Sequence, residues 1–240
     1  MAKFIKIKSG NHDVEMVTNN VKEPRSIILC LHGFNGDRWG DGLSKLKHSF
    51  EDVLICAFDS AGHGESEIDS LDMRIDLIIK EIDDVVEFLR SRYEDIPINL
   101  FAVSYGGYRA MLYLKQFGKK VENVILYNPA FKMLNILEIA NGFKYGELKE
   151  GDRIEMNSKQ NKYISKYFLD DLKQNSVYVR EVEIKNPITI FLGVNDTLVP
   201  RAHTLEFCEM YDVKLIEVSG AHNPSDENWR EVIAYLEKNI

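Results

Sequence analysis

The stretch INLFAVSYGGYRAMLYL, from Ile98 to Leu114, decides the fold. A short apolar run typical of a buried strand ends at Ser104, and an apolar segment typical of a helix begins almost at once. A strand that passes directly into a helix is the repeating unit of an α/β sheet. The serine between them has two explanations, because it can cap the helix or act as a nucleophile. Residues elsewhere in the chain indicate which of the two roles, helix cap or nucleophile, applies.

Seven further runs of strand character surround this unit. The first two alternate apolar and polar residues on either side of a turn-like SGNH, which predicts an antiparallel hairpin at the edge of the sheet. The later runs are nearly continuous in Ile, Leu, Val and Phe, as strands are when both faces of a parallel sheet are covered. In chain order the runs cover residues 4–8, 13–18, 26–32, 52–59, 121–128, 187–193 and 213–219.

Helical stretches lie between the later runs. Residues 71–93 place their apolar side chains on one face at a spacing of 3.6 residues, and residues 105–117 are apolar on most sides. Two further helical stretches cover residues 201–210 and 226–239. This alternation of strand and helix predicts an α/β fold with a mostly parallel, doubly wound sheet.

The alternation breaks off at residues 131–185, where the sequence shows no convincing buried strand. A polar stretch at 141–161 is followed by an amphipathic helix, which has on one side Tyr163, Ile164, Tyr167, Phe168 and Leu172. We expect this region to form a small inserted cap over one end of the sheet, between two parts of the core at 1–130 and 186–240. The alternative is an ordinary crossover, but about 55 residues is long for a plain connection.

The composition of the 240 residues restricts the possible partners. Acidic residues outnumber basic ones by 38 to 30, and the net charge of −8 does not suit binding to nucleic acid phosphates. The N-terminal MAKFIKIKSG lacks the apolar core of a signal peptide, and no apolar run approaches the roughly 20 residues that span a bilayer. Cys30, Cys56 and Cys208 are scattered and odd in number, so we expect a cytoplasmic protein without disulfides or a cysteine metal site.

The residues around Ser104 are close to the nucleophile-elbow pattern G-x-S-x-G. In that motif the serine lies in a sharp turn between strand and helix, so the residues two before and two after it have to be small. Gly106 meets this need, and Ala102 exceeds glycine by one methyl group. The turn also directs backbone N–H groups of the helix N-terminus toward the site, where they favour an anion.

A serine nucleophile needs a base that takes its proton and an acid that orients the base. In the elbow folds the chain order is serine, acid, histidine. His222 follows the last predicted strand in a polar loop, whereas His203 lies within a predicted helix. Asp196 follows the preceding strand in LGVNDTLVP. Because ligands bind at the carboxyl ends of the strands, we expect Ser104, Asp196 and His222 to meet there as a catalytic triad.

Three other carboxylates are weaker candidates for the acid. Asp226 begins a predicted helix, and Asp170 and Asp171 lie in the inserted region. The developing negative charge on a carbonyl oxygen also needs fixed N–H donors, which form an oxyanion hole. We expect these donors to be the backbone N–H groups of Tyr105, after the serine, and of Phe34, after an early strand. The alternative for the loop that carries Phe34 is a tight turn without a catalytic role.

With these residues placed, the chain resembles the α/β-hydrolase superfamily of serine hydrolases over nearly its whole length. FDSAGHGESE at 58–67 looks like the family's D-x-x-G-x-G-x-S segment, in which His63 is typically structural. The length and the insertion after YNPA most resemble the compact carboxylesterases with a small cap, the group of cinnamoyl (feruloyl) esterases and monoacylglycerol-lipase-like enzymes. The elbow departs from that group, because Tyr105 in Ala-Val-Ser-Tyr-Gly-Gly is similar to that of some serine peptidases of the superfamily.

The predicted function is therefore that of a serine esterase, which cleaves carboxylic esters of small to medium acyl or aryl-acyl groups without cofactor or metal. Tyr163, Tyr167 and Phe168 of the cap are candidate substrate-binding residues, or they anchor the cap on the core. A peptidase or amidase and a thioesterase are alternatives of the same fold. A binding protein for small molecules that has lost the chemistry is the alternative from another class. The sequence leaves the oligomeric state open.

Overall fold

The computed structural model of the chain describes residues 2–157, 162–178 and 184–240. Within these residues, eight strands form one sheet in the order β1-β2-β4-β3-β5-β6-β9-β10. Their bounds are β1 Lys3–Ser9, β2 His12–Thr18, β3 Ser26–Leu31, β4 Val53–Phe58, β5 Ile98–Val103, β6 Val124–Tyr127, β9 Ile188–Gly193 and β10 Val213–Val218. Two further strands, β7 (Arg153–Asn157) and β8 (Lys162–Ser165), form a separate antiparallel pair.

The predicted mostly parallel sheet with an N-terminal hairpin is confirmed. β1 and β2 pair antiparallel from Lys3 opposite Thr18 to Ser9 opposite His12, and β2 also runs antiparallel to β4. From β4 to β10 every neighbouring pair of the sheet is parallel. The carboxyl ends of these strands therefore lie along one edge, which is where a site can form.

Helices cover both faces of the sheet. They are α1 Asp41–Leu46, α2 Ile75–Arg92, α3 Tyr105–Phe117, α4 Met133–Asn141, α5 Lys166–Gln174, α6 Arg201–Cys208 and α7 Asp226–Asn239. Strand β3 shows why its sequence is apolar throughout. Ile27, Leu29 and Leu31 belong to the core under α2 and α3, whereas Ile28 and Cys30 belong to the core under α1 and α7. Each face thus buries every second side chain.

The inserted region leaves the sheet after β6 and returns to it at β9. It contains α4, a 3₁₀ turn at Tyr145–Glu147, the β7–β8 pair and α5. The sequence prediction missed β7 and β8, because short strands with one covered face and polar neighbours resemble a polar loop. Ile164 is fully buried, and Ile154 and Met156 pack against the core only in part.

The predicted amphipathic helix in this region is correspondingly shorter than expected. Tyr163 and Ile164 belong to β8, and α5 begins at Lys166 with Ser165 as its N-cap, whose hydroxyl accepts a hydrogen bond from the Phe168 N–H. A serine that caps the helix explains why the helix cannot begin earlier.

The three cysteines are free, and burial raises the pKa of the Cys30 and Cys56 thiols above their ordinary value. Cys30 and Cys56 are buried and Cys208 is half-buried. In the described part of the chain, no helix combines the length and the apolar character that crossing a membrane requires.

Candidate active site

Ser104 lies in a strained turn between β5 and α3. Its backbone has φ 52° and ψ −118°, a conformation that residues other than glycine rarely adopt. Such strain is kept where the surrounding structure enforces it, and it is common at active sites. The Ser104 carbonyl oxygen accepts bonds from the N–H groups of Gly107 and Ala130, both at 2.9 Å. Although Ser104 is the N-cap residue of α3, its hydroxyl makes no capping hydrogen bond within the described residues.

The residues around Ser104 are small because larger side chains would overlap neighbouring atoms, as the elbow pattern requires. A Cβ atom on Gly106 would overlap the carbonyl oxygen of Leu31, and one on Gly107 would lie 2.6 Å from the Cβ of Pro129. Ala102 is fully buried. The helix can therefore approach β3 this closely only with glycine at position 106.

We expect Gly106→Ala to destabilise the fold by about 3 kcal/mol or more, because the added methyl group meets a backbone atom that cannot rotate away. Chemical unfolding measures the change. Gly146→Ala is the matched control, since a Cβ there has nothing within 4 Å. Equal stability of the two variants would contradict the tight packing of the turn.

Asp196 and His222 form a hydrogen-bonded pair beyond the ends of β9 and β10. His222 Nδ1 lies 2.8 Å from Asp196 Oδ2, while Asp196 Oδ1 accepts the N–H groups of Leu198 and Val199 at 2.8 and 3.0 Å. Burial by itself raises the pKa of Asp196, but the bonds from His222, Val199 and Leu198 outweigh it and lower the pKa below its ordinary value. Asp196 is therefore ionised near neutral pH and accepts a hydrogen bond from the imidazole.

The other candidate acids have partners elsewhere. The Asp226 side chain is 82% exposed and pairs with Lys45 at 2.7 Å. Asp170 binds Lys166 and the Tyr145 hydroxyl, and Asp171 accepts the Ile75 N–H at 3.0 Å. Of the four carboxylates considered, Asp196 is thus the one placed against His222.

Ser104, His222 and Phe34 line one cavity of about 430 Å³ at the carboxyl edge of the sheet. The side of the cavity that the inserted region forms is aliphatic and contains Met133, Ile136, Leu137, Ala140 and Met156. On the opposite side the cavity reaches Cys30, Leu43 and Ala57. Apolar walls around a few polar groups are typical of a site for a small organic molecule.

The loop after β3 passes directly over Ser104. A Cβ on Gly33 would lie 3.5 Å from the Ser104 Cβ, so this loop and the serine are in contact. The buried Arg109 donates to the His32 carbonyl oxygen at 2.6 Å, and His32 Nε2 accepts the Ser60 N–H at 3.2 Å. These bonds fix the loop that carries Phe34. Tyr105 is the first residue of α3, so its N–H has no acceptor inside the helix.

An aromatic layer fills the space beneath this loop. The Phe34 ring lies edge-on to His63 and Tyr105, with centroids 5.2 and 5.3 Å apart, and stacks on Phe168 at 6.4 Å. Burial lowers the pKa of His63, and that of His32, well below the ordinary value. Both imidazoles are therefore neutral and packed, as the sequence suggested for His63.

The structure places the three aromatic candidates of the inserted region outside the described lining of the Ser104 cavity. Phe168 is fully buried and anchors α5 on Phe34. Tyr167 is 54% exposed, and the guanidinium of Arg74 lies over its ring at 4.0 Å. Tyr163 lies beside Arg153 at a different surface cleft. The described lining of the Ser104 cavity contains none of the three, and α4 takes the place expected for them. The prediction missed α4 because its apolar LNILEIA was not assigned to a helix.

The described ranges contain no group of three or more His, Cys, Asp or Glu side chains that could hold a metal ion.

Comparison with known proteins gives a family and a fold. Residues 22–172 match the model of the family Hydrolase_4, described as serine aminopeptidase, S33. Abhydrolase domain-containing protein abhd-5.2 of Caenorhabditis elegans is 30% identical over 137 residues, which are 54% of this chain and 30% of that protein. The chain thus matches less than a third of the length of this curated relative.

Two solved structures share the fold over almost the full chain. Est1E of Butyrivibrio proteoclasticus with bound ferulic acid has a TM-score of 0.81 at 18% identity, with 98% of this chain and 96% of that chain covered. Alpha/beta hydrolase domain-containing protein 10 from mouse has a TM-score of 0.76 at 14% identity, with 98% and 97% covered. At identities this low, the structural similarity shows the α/β-hydrolase fold. The aligned residues include the inserted region as well.

Proposed function

The chain belongs to the Hydrolase_4 family of α/β-hydrolases, and from this premise we propose that it is a serine hydrolase that cleaves carboxylic esters. The observation that carries the proposal is that His222, which is paired with Asp196, lines one cavity together with Ser104. The position of Ser104 in a strained turn, with its hydroxyl free of a capping role among the described residues, supports the same proposal.

In the proposed mechanism Ser104 is the nucleophile. Since Asp196 is ionised and can only accept, the proton of the imidazole lies on Nδ1 of His222, which leaves Nε2 unprotonated and basic. Nε2 takes the hydroxyl proton as Ser104 Oγ attacks the ester carbonyl, and it then gives this proton to the leaving alcohol oxygen. A water molecule, deprotonated by the same nitrogen, attacks the acyl-enzyme and releases the carboxylic acid and the free serine.

The negative charge on the carbonyl oxygen is stabilised by backbone N–H groups. We assign this role to the N–H groups of Tyr105 and Phe34, because both residues flank Ser104 and the loop of Phe34 is held by Arg109 and His32. Fixed donors of this kind need no reorganisation during the reaction and are worth about 3–4 kcal/mol each.

The lining of the cavity favours an ester over a peptide substrate. An aminopeptidase has to bind a charged amino group near the reacting carbonyl, which a carboxylate in the cavity would do. Among the described lining residues Asp37 is the one carboxylate, and its Oδ1 already accepts the Trp39 N–H at 2.8 Å. Tyr105, which resembles the peptidase elbows, has its ring buried against His63 and Tyr108.

A substrate panel with one acyl group and three leaving groups tests the proposal. We expect p-nitrophenyl butyrate to be hydrolysed with kcat/KM at least about tenfold above a butyryl thioester and far above butyryl p-nitroanilide, because the amide leaving group needs protonation before it departs. Alanyl p-nitroanilide tests the aminopeptidase alternative directly. Turnover of this compound that exceeds the ester turnover would contradict the proposal in favour of a peptidase.

The wall formed by α4 should limit the length of the acyl chain. Ala140 lines the cavity and is exposed at its mouth, so Ala140→Phe adds bulk there without repacking the core. We expect kcat/KM for p-nitrophenyl octanoate to fall roughly tenfold relative to the acetate ester. Ile139→Phe is the control, because Ile139 is 65% exposed on the same helix. An equal effect of both substitutions, or of neither, would show that α4 does not bound the substrate site.

A further inference from the structure

Asn128 occupies an unusual position directly after β6. It is fully buried, and its φ of 43° lies in the left-handed region. Asparagine tolerates this region better than most other side chains, which explains the residue type in part. In the sheet β6 lies between β5, which ends just before Ser104, and β9, which ends before Asp196. Asn128 is therefore located between the elements that carry the proposed catalytic residues.

The side chain of Asn128 uses both ends of its amide group. Nδ2 donates to the carbonyl oxygens of Ala221 at 2.7 Å and His222 at 3.1 Å. Oδ1 accepts the N–H of Gly193 at 2.7 Å. The Asn128 backbone N–H also donates to the Phe191 carbonyl oxygen at 3.0 Å. One side chain thus joins the end of β6 to the ends of β9 and β10.

These bonds reach both members of the Asp196–His222 pair through the backbone. On one side Asn128 binds the carbonyl oxygen of His222 itself. On the other side the Gly193 carbonyl oxygen accepts the Asp196 N–H at 3.1 Å. Gly193 thus binds Asn128 through its N–H and the proposed acid through its carbonyl oxygen. A Cβ on Gly193 would lie 2.9 Å from Asn128 Nδ2 and 2.7 Å from the Ala221 carbonyl oxygen, which leaves no free space at this junction.

The loop that carries His222 is fixed separately at its far end. Ser225 and Asn228 form a capping box at the start of α7, and the Tyr127 hydroxyl lies 3.3 Å from Asn228 Oδ1. Between this box and β10, Asn128 binds the backbone of the loop at Ala221 and His222, whereas Asp196 binds the imidazole of His222. The orientation of the imidazole relative to Ser104 therefore depends on Asn128.

We propose that Asn128 is a positioning residue, which sets the distance between the His222 loop and the Asp196 loop and so aligns the imidazole with Ser104. This inference rests on the proposed serine hydrolase function. Asn128 does not contact the substrate cavity in the described lining, so its effect is on the rate of the chemical step and not on substrate binding.

Asn128→Asp separates the donor from the acceptor function. Aspartate keeps the shape, the tolerance of a left-handed backbone and an acceptor for the Gly193 N–H, but its second oxygen would repel the carbonyl oxygens of Ala221 and His222. We expect kcat to fall roughly 10²-fold with KM within about twofold, since a displacement near 1 Å costs about this much. Asn128→Gly fits the backbone and removes all three bonds. It should likewise lower kcat while KM stays within about twofold.

Asn239→Asp is the matched control. It also removes an Nδ2 bond to a backbone carbonyl oxygen, that of Tyr235 at 2.6 Å, but on the exposed end of α7. Its kcat should equal that of the wild type. Wild-type kcat in Asn128→Asp, or a rise of KM at constant kcat, would overturn the inference. An inactive wild type that also resists a fluorophosphonate would instead refute the proposed function.

Proton NMR signals of two side chains, His222 and Asn128, test the alignment without relying on turnover. The Nδ1–H of His222 should give a strongly deshielded signal in the wild type and in Asn239→Asp, assigned by its loss in His222→Gln. It should broaden or disappear in Asn128→Asp. In the wild type, which needs no substitution to fold, the side-chain amide protons of Asn128 should exchange slowly with solvent. Rapid exchange of these protons, or an unchanged Nδ1–H signal in Asn128→Asp, would contradict the proposed role.

Discussion

Ser104→Ala is expected to lower kcat for ester hydrolysis by about 10⁶-fold, to the residual rate that binding and the oxyanion donors provide. The loss is this large because His222 and Asp196 act only through the serine oxygen. Loss of the hydroxyl should leave the fold intact, since Ser104 makes its hydrogen bonds within the described residues through its backbone groups. Steady-state kinetics with p-nitrophenyl butyrate measure the effect.

Ser66→Ala is the control for this substitution. Ser66 lies in a neighbouring cleft beside His63, and its hydroxyl oxygen accepts the Ile68 N–H at 3.2 Å. It should retain the wild-type kcat. A Ser104→Ala variant that is folded and keeps more than about a tenth of the activity would exclude Ser104 as the nucleophile.

Asp196→Asn is expected to lower kcat by about 10⁴-fold while the geometry of the pair is kept. The amide can donate a proton to Nδ1 of His222, which places the imidazole proton on Nε2 and removes the base that faces Ser104. The backbone N–H groups of Leu198 and Val199 retain an acceptor if the amide oxygen faces them. The kcat of the variant, measured against that of the wild type with the same ester, gives the effect.

Asp226→Asn controls for the loss of one carboxylate near the His222 loop. Asp226 was a candidate acid from the sequence, and its side chain is 82% exposed and pairs with Lys45. The control should keep full activity. If Asp226→Asn or Asp171→Asn lost the activity and Asp196→Asn kept it, the assignment of the acid would be wrong.

The positions of Ser104, Asp196 and His222 could be predicted because each follows a strand of a parallel sheet. Parallel strands end at the same edge, so three polar residues after three apolar runs are brought together by the topology alone. The strained φ of Ser104 and the overlap that a Cβ on Gly106 would cause give the steric basis of the pattern that the sequence suggested. The local sequence was informative here because the close approach of backbone atoms requires small residues at these positions.

The walls of the cavity could not be predicted in the same way. Tyr163, Tyr167 and Phe168 form an apolar pattern, but the pattern does not say whether a side chain faces a core or a substrate. The position of Phe168 under Phe34 depends on contacts between residues far apart in the sequence. The wall instead comes from α4, whose apolar face is ordinary in the sequence.

Asn128 was missed for a related reason. In the sequence it is the last residue of the run at 121–128 and precedes a proline in YNPA, where an asparagine is typical of a turn. Its significance depends on three partners that lie 65 to 94 residues away along the chain. Only the close packing of the ends of β6, β9 and β10 brings these partners together.

The most direct test of the central claim is the intact mass of the protein after brief exposure to a fluorophosphonate, with Ser104→Ala treated in parallel. We predict one adduct on the wild type and none on the variant, because phosphonylation requires a serine whose proton is taken by a neighbouring base. This result would establish that the hydroxyl at the end of β5 is an activated nucleophile. An unmodified, folded wild type, or an adduct that persists in Ser104→Ala, would contradict the account.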